Sequence, residues 1–267
     1  DIVTDLSLDW LKHRDPSKPF LLLSWNKAPH RIWEPALNDL NFDHDRQYPL
    51  PPTLFDDYSG RGAAEHDQDM MISSTLRLNE DCKLVDPADL SPEQRKIWDA
   101  YYVPRNAAFE KMHLTGRALT EWKYNRFMHD YLGCVKAVDD SVGRILDYLD
   151  KEGLADNTIV VYASDQGFYL GEHGWFDKRW IFEESLRTPM LVRWPGVAKP
   201  GLVNANLVSL LDLAPTFLNA AGLPVPAEIQ GKDFTPVLKG QTPADWRKSF
   251  YYHDYEHPGP HNVHRHY

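Results

Sequence analysis

Three stretches of the chain are apolar without alternation: residues 19–25 (Pro-Phe-Leu-Leu-Leu-Ser-Trp), 158–164 (Thr-Ile-Val-Val-Tyr-Ala-Ser) and 189–194 (Pro-Met-Leu-Val-Arg-Trp). A strand with one face in water alternates apolar and polar residues, so continuous runs predict strands buried on both faces, as in a parallel sheet flanked by helices. Each run ends in turn chemistry, with Asn26-Lys27-Ala28-Pro29, Asp165-Gln166-Gly167 and Pro195-Gly196 following in turn. Between the first two runs the period changes. From about Thr120 to Lys151, residues Met128, Tyr131, Leu132, Val135, Val138, Val142, Ile145, Leu146 and Leu149 recur at steps of three and four. That stripe predicts one long amphipathic helix closed by Gly153, and the strand-helix-strand order reads as βαβ. A shorter helix is predicted from about Ser209 to Ala221, with Pro215 near its start and Gly222 at its stop.

Residues 35–103 are dense in Pro and Asp and hold no period, which predicts a functional excursion over one face of the sheet. Three strands are fewer than the roughly five or more such sheets hold. Strands are therefore expected either within the irregular stretch or upstream of Asp1, and the chain reads as opened at both ends.

Composition narrows the classes. The 267 residues are 42% hydrophobic, enough for a sizeable core, and no run reaches the roughly 18–20 apolar residues of a membrane helix. With 29 Lys+Arg against 39 Asp+Glu the formal charge is −10, the wrong sign for a chain built to grip phosphate backbones. Mean hydropathy of −0.52 with 9 Trp, 13 Tyr and 11 Phe describes a polar but ordered domain. Two cysteines, Cys82 and Cys134, cannot build a disulfide framework.

The densest chemistry lies in residues 164–179, Ser-Asp-Gln-Gly-Phe-Tyr-Leu-Gly-Glu-His-Gly-Trp-Phe-Asp-Lys-Arg. Asp165 and Gln166 follow a buried strand, where open α/β sheets place their ligands, and a carboxylate beside an amide oxygen suits Ca²⁺ or Mg²⁺. The alternative for this turn is an Asx turn with Gly167 at positive φ. His173 sits between glycines and Lys178 follows five residues later; alone each reads as a loop histidine and a solvated charge, and their concentration near a strand end makes them candidates. Asn26-Lys27-Ala28-Pro29-His30-Arg31 repeats the theme after the first run. If the two runs are parallel, both loops lie on one sheet edge, describing a pocket for phosphate or sulfate beside a metal.

These residues carry a family resemblance. Residues 164–174, with Asp177-Lys178-Arg179, Glu183-Glu184-Ser185-Leu186-Arg187-Thr188-Pro189, Arg193-Trp194-Pro195-Gly196, Lys27-Ala28-Pro29-His30-Arg31, residues 135–143 and Leu210-Leu211-Asp212-Leu213-Ala214-Pro215-Thr216, resemble the C-terminal half of a type I, formylglycine-dependent sulfatase of the alkaline phosphatase superfamily. The resemblance implies an α/β fold, part of a mixed, mainly parallel sheet with helices on both faces, with residues 1–240 the later part of the catalytic domain and 241–267 the beginning of a small C-terminal subdomain. It implies Asp165 and Gln166 as Ca²⁺ ligands, with Mg²⁺ as the alternative. It implies Lys178 and His30 as catalytic, the lysine on the sulfate oxygens and the histidine as general acid at the leaving oxygen. Lys27, His30, His173 and Lys178 are the implied substrate-binding set, His173 shaping the loop or lying close to the substrate.

The family nucleophile, a formylglycine made from Cys or Ser in Cys/Ser-x-Pro/Ala-x-Arg, fits neither cysteine and is expected upstream of Asp1, so residues 1–267 alone are expected to show no turnover. The implied substrate is a sulfated saccharide of glycosaminoglycan type, similar to N-acetylglucosamine-6-sulfate, with Trp33, Trp175 and Trp180 as stacking faces. The implied location is periplasmic or secreted. Two other readings fit the same residues: a phosphodiesterase or phosphonate monoester hydrolase of the superfamily, and a non-catalytic carbohydrate-binding remnant. The tail holds five histidines, His253, His257, His261, His264 and His266, but Pro258-Gly259-Pro260 forbids a metal-binding helix there and a polar loop is expected.

Overall fold

The computed structural model describes residues 2–267. In chain order its helices and strands are α1 (Ile2–His13), α2 (Ala63–Asp67), α3 (Pro92–Met112), α4 (Gly116–Lys151), β1 (Val160–Ala163), β2 (Tyr169–Leu170), β3 (Phe176–Asp177), α5 (Glu183–Leu186), β4 (Met190–Arg193), α6 (Leu213–Ala220) and α7 (Thr235–Leu238). The backbone divides into two units. The first comprises Asp1–Gly153, Phe168–Asp177 and Pro258–Val263, and the second Leu154–Gly167, Lys178–His257 and His264–Tyr267.

The first unit is organised by α4, the helix its apolar period predicts, with Gly153 at φ 66 turning the chain away after it. Tyr124, Phe127, Met128 and Cys134 of α4 pack with Trp33, Leu54, Ile72, Leu76 and Phe176 into the main core. On the same helix the buried Asp130 is partly matched: the Tyr102 hydroxyl donates to its Oδ1 at 2.8 Å and Lys83 Nζ lies 3.9 Å from Oδ2. Burial pushes the Asp130 carboxyl up against the opposing pull of Lys83 and Arg126.

Helix α3 lies partly inside the 35–103 stretch read as irregular. It starts at a capping box, Ser91 Oγ accepting from the Gln94 N–H while the Gln94 side chain accepts from the Ser91 N–H, with Pro92 at the first position. Few side chains of this 21-residue helix are buried, Trp98, Tyr101 and Tyr102 among them, so no stripe marks it.

The first apolar run corrects the βαβ reading. Residues 19–25 form no strand among the described residues, and Leu21, Leu23 and Trp25 are 67%, 57% and 77% exposed. Within the second unit β1 pairs antiparallel with β4, Tyr162 opposite Leu191 and Ala163 opposite Met190. A run's composition encodes its capacity for burial, whereas direction and partner depend on residues far away in sequence. The predicted 209–221 helix is a short 3-10 turn leading into α6, capped by Ser209 and Asp212. Phe234, Val237 and Trp246 form the core there with Met190, Val192 and Leu213.

Candidate functional site

The six residues singled out from the sequence fall in both units: Lys27, His30 and His173 in the first, Asp165, Gln166 and Lys178 in the second.

In the first unit Lys27–His30 is a tight turn, closed by the His30 N–H donating to the Lys27 carbonyl at 2.9 Å, and both side chains are exposed. His30 Nδ1 lies 2.8 Å from the Arg31 carbonyl, which assigns the proton of the neutral ring to Nδ1 and leaves Nε2 for a ligand. The turn is anchored through Arg31. Its Nε donates to Asp81 Oδ1 at 2.7 Å, its Nη2 to Oδ2, and its guanidinium lies 5.0 Å over the Phe176 ring of β3. Asp81 has no exposed surface and takes a further bond from the Arg77 N–H at 2.8 Å. Nothing in the sequence pattern pointed to Asp81, which lies fifty residues from Arg31 in an aperiodic stretch.

The β2–β3 hairpin carries three non-glycine or glycine residues that must turn left-handed between its strands: Gly171 at φ 101, His173 at φ 58 and Gly174 at φ 74. A Cβ on Gly171 would meet the Tyr124 ring at 2.8 Å, so this turn presses on α4. His173 is built into the loop. Its N–H donates to Thr53 Oγ1 at 2.9 Å, its carbonyl accepts from the Tyr58 hydroxyl at 2.6 Å, and its Nδ1 faces Arg61 Nη2 at 3.2 Å and Asp56 Oδ2 at 3.6 Å. At the end of the hairpin Asp177, at φ 81, meets His261 Nε2 at 3.0 Å, which fixes the 258–263 segment beside β3. Trp33 and Trp175 have no exposed surface and Trp180 has 6%, so these rings pack in their units and offer no open stacking face.

In the second unit Asp165 and Gln166 are exposed at the end of β1, with Gln166 Nε2 3.3 Å from Asp165 Oδ2. The next residue is a glycine for a reason other than positive φ. A Cβ on Gly167 would stand 2.1 Å from the Glu184 carbonyl oxygen, and the Gly167 N–H donates to the Ser185 carbonyl at 2.7 Å. Ser185 Oγ in turn donates to the Lys178 carbonyl at 2.7 Å, so one residue of α5 ties the Asp165 turn to the lysine segment. The donor pair is all oxygen and suits a hard dication, but such an ion takes about six to eight oxygens. No group of three or more His, Cys, Asp or Glu able to hold a metal occurs among the described residues. Asp165 and Gln166 therefore fit as part of a metal shell and not as a whole one.

The family model N-sulphoglucosamine sulphohydrolase, C-terminal, matches residues 171–267. An N-acetylglucosamine-6-O-sulfatase of Bacteroides thetaiotaomicron is 46% identical over 284 aligned residues, covering 100% of this chain and 51% of the relative. A protein solved in complex with its substrate D-glucosamine-2-N,6-O-disulfate superposes with a TM-score of 0.95 at 46% identity, over 99% of this chain and 57% of that one. The chain belongs to the sulfatase family. It carries the C-terminal half of the sulfatase, and its fold is that part of the α/β, alkaline-phosphatase-like architecture. An N-acetylglucosamine-6-sulfatase of Bos taurus is 27% identical over 92% of the chain and 36% of its own length. The chain thus spans about half the length, or less, of the curated relatives it matches.

Proposed function

We propose that the whole protein to which this chain belongs hydrolyses sulfate esters of glucosamine-type sugars in glycosaminoglycans, from a periplasmic or secreted location. The observation that supports this most directly is the backbone agreement, TM-score 0.95 over 99% of the chain, with a protein solved on a disulfated glucosamine. A phosphate or phosphonate ester reading of the same residues is less favoured, because the relatives described above that cover 92% or more of the chain carry sulfatase names.

In this proposal Lys178 binds the sulfate oxygens and offsets the negative charge that grows on them in the transition state. His30 in its imidazolium form, with Nδ1–H donating to the Arg31 carbonyl, presents Nε2–H to the leaving oxygen, gives that proton to the departing alcohol and is left as the neutral ring. Lys27 adds a second positive charge on the same exposed turn. His173 contributes by holding the hairpin that ends one residue before Lys178, with Arg61 and Asp56 fixing its ring. Asp165 and Gln166 would supply part of the coordination of Ca²⁺, or of Mg²⁺ in its place, and the ion when bound would lower the cost of concentrating negative charge at the sulfate. Neither cysteine is the nucleophile: burial pushes the thiols of Cys82 and Cys134 up to about 12, leaving them protonated. The nucleophile, formylglycine by the family resemblance, then lies outside these residues.

Sulfate release from glucosamine-6-sulfate by the whole protein tests the proposal, beside the phosphate ester of the same sugar. Preference for the sulfate ester with loss of turnover in Lys178→Ala and His30→Ala is expected. A large preference for phosphate would overturn it. Calcium content measured on Asp165→Ala separates the metal role from the reaction.

A further inference from the structure

We propose that the groove between residues 44–50, α3 and α4 is a binding site for one anionic sugar residue, apart from the 26–31 and 164–179 segments. The saccharide class rests on the proposed function, whereas the anion preference rests on the groove itself. All of its walls belong to the first unit.

The cavity is about 610 Å³, within the range of small-ligand sites and far larger than an inorganic anion needs. Trp122, Asn125, Arg126 and His129 form one wall from successive turns of α4, with Arg105 of α3 and Tyr48 facing them. The walls are fixed to one another. Asn125 Oδ1 accepts from the Tyr48 N–H at 2.9 Å, and the Tyr124 hydroxyl donates to the Pro49 carbonyl at 3.0 Å.

Two guanidinium groups are set into this frame before any ligand arrives. Arg126, 8% exposed, donates from Nε to the Cys82 carbonyl at 3.0 Å and from Nη2 to Asn106 Oδ1 at 2.6 Å, over the Tyr102 ring. Arg105 donates from Nη1 to the Tyr101 carbonyl at 2.8 Å and stacks 3.7 Å above the Tyr101 ring. Neither arginine forms an ion pair among the described residues, while the carboxylate that lines the groove, Glu121, is held by Arg117 at 3.0 Å. Cations whose rotamers are already spent on neutral acceptors bind a sulfate or carboxylate without further ordering cost.

The uncharged part of the ligand is marked by His129. Its Nδ1 is buried and has no hydrogen-bond partner among the described residues, and burial pushes the imidazole pKa down, which favours the neutral ring. A ligand hydroxyl that reaches this nitrogen would supply the missing partner. Trp122 is held rigid by stacking on Phe109 at 3.8 Å, and with Tyr48 it lines the groove with aromatic surface suited to sugar C–H groups. Two guanidinium groups, one hydroxyl-seeking nitrogen and aromatic walls together describe a sulfated or carboxylated sugar.

Titration calorimetry of the 267-residue chain with a sulfated heparin disaccharide, and with inorganic sulfate alone, tests the site. Saturable binding of the disaccharide is expected, weakened about tenfold by Arg105→Ala and by His129→Phe. Circular dichroism of each variant checks folding, and quenching of indole fluorescence that is absent in Trp122→Phe gives a readout independent of the arginine. No saturable binding, or binding that Arg105→Ala and His129→Phe leave intact, overturns the proposal. Equal affinity for inorganic sulfate overturns the sugar class. The two proposals fail separately: a whole protein without sulfatase turnover, whose chain still binds through Arg105, loses the proposed function and keeps this site.

Discussion

Arg31 holds both carboxylate oxygens of Asp81 while its guanidinium covers the ring of Phe176. The pair anchors an exposed turn, Lys27–His30, to a carboxylate with no exposed surface. Removing one partner of such a pair leaves the other charge buried and unmatched, at a cost of about 3 kcal/mol or more. Asp81→Ala is expected to lower the unfolding free energy from urea titration by that amount, and in the whole protein to reduce kcat through a loosened His30. A variant with wild-type stability and wild-type kcat would show that the turn holds itself.

Gly167 is constrained by space. An added methyl group would lie 2.1 Å from Glu184 O and 2.8 Å from Ser185 O, both backbone atoms that cannot swing aside. Gly167→Ala is expected to cost about 1–3 kcal/mol by overpacking. It should also displace the Asp165 turn. Gly196 makes the comparison: at φ 75 with nothing within 4 Å of an added Cβ, its alanine variant suffers only backbone strain of about 1–2 kcal/mol. Denaturation curves in which Gly196→Ala is the more damaging would refute the packing argument.

Asp212 gives the second unit an acid dependence. Burial alone would raise its carboxyl pKa, but hydrogen bonds from Arg247 and from the Lys232 and Ser209 N–H groups outweigh it and hold the pKa below its ordinary value of 3.8. A carboxylate with a depressed folded pKa stabilises the fold above its unfolded pKa, and that stability is lost as pH falls through the folded value. Asp212→Asn should therefore be less stable than wild type at pH 7 and lose less on acidification below about pH 4. Parallel pH curves for the two proteins would exclude this role.

Leu21, Leu23 and Trp25 present a row of exposed apolar side chains that pair with no strand among the described residues, the arrangement that recruits other chains. The 267-residue chain is expected to self-associate and to enhance the fluorescence of an apolar dye. Leu21→Ser with Leu23→Ser should suppress both while leaving the unfolding free energy within about 0.5 kcal/mol. Unchanged light scattering from the double variant would assign the association to another surface.

The parts of this fold readable in sequence are those set by local period. Helix α4 announces itself through nine apolar positions, and the α6 region through its leucines and Gly222. Helix α3 carries a legible start, Ser91-Pro92-Glu93-Gln94, but its three buried aromatics span only Trp98 to Tyr102 and give no stripe to follow. The direction of β1 against β4 was not legible, because a buried run looks the same in either orientation. In the candidate site the strand-end residues were visible as dense polar clusters. Their supports were not: Asp81, Arg61 and Ser185 act through contacts with Arg31, His173 and Lys178 that no spacing encodes.

The Asp177–His261 contact closes a unit whose pieces are made far apart in time. Residues 258–263 belong with Asp1–Gly153, yet about 110 residues are synthesised between Gly153 and Val263. At roughly 5–20 residues per second, the nascent first unit waits on the order of 5–20 s for its last segment. Until then β3 and the 67–69 segment lack the partners that His261 and Asn262 bring. Premature chain termination between Asp177 and Pro258 would release a protein with its long helix and hairpin made and the hairpin unsealed.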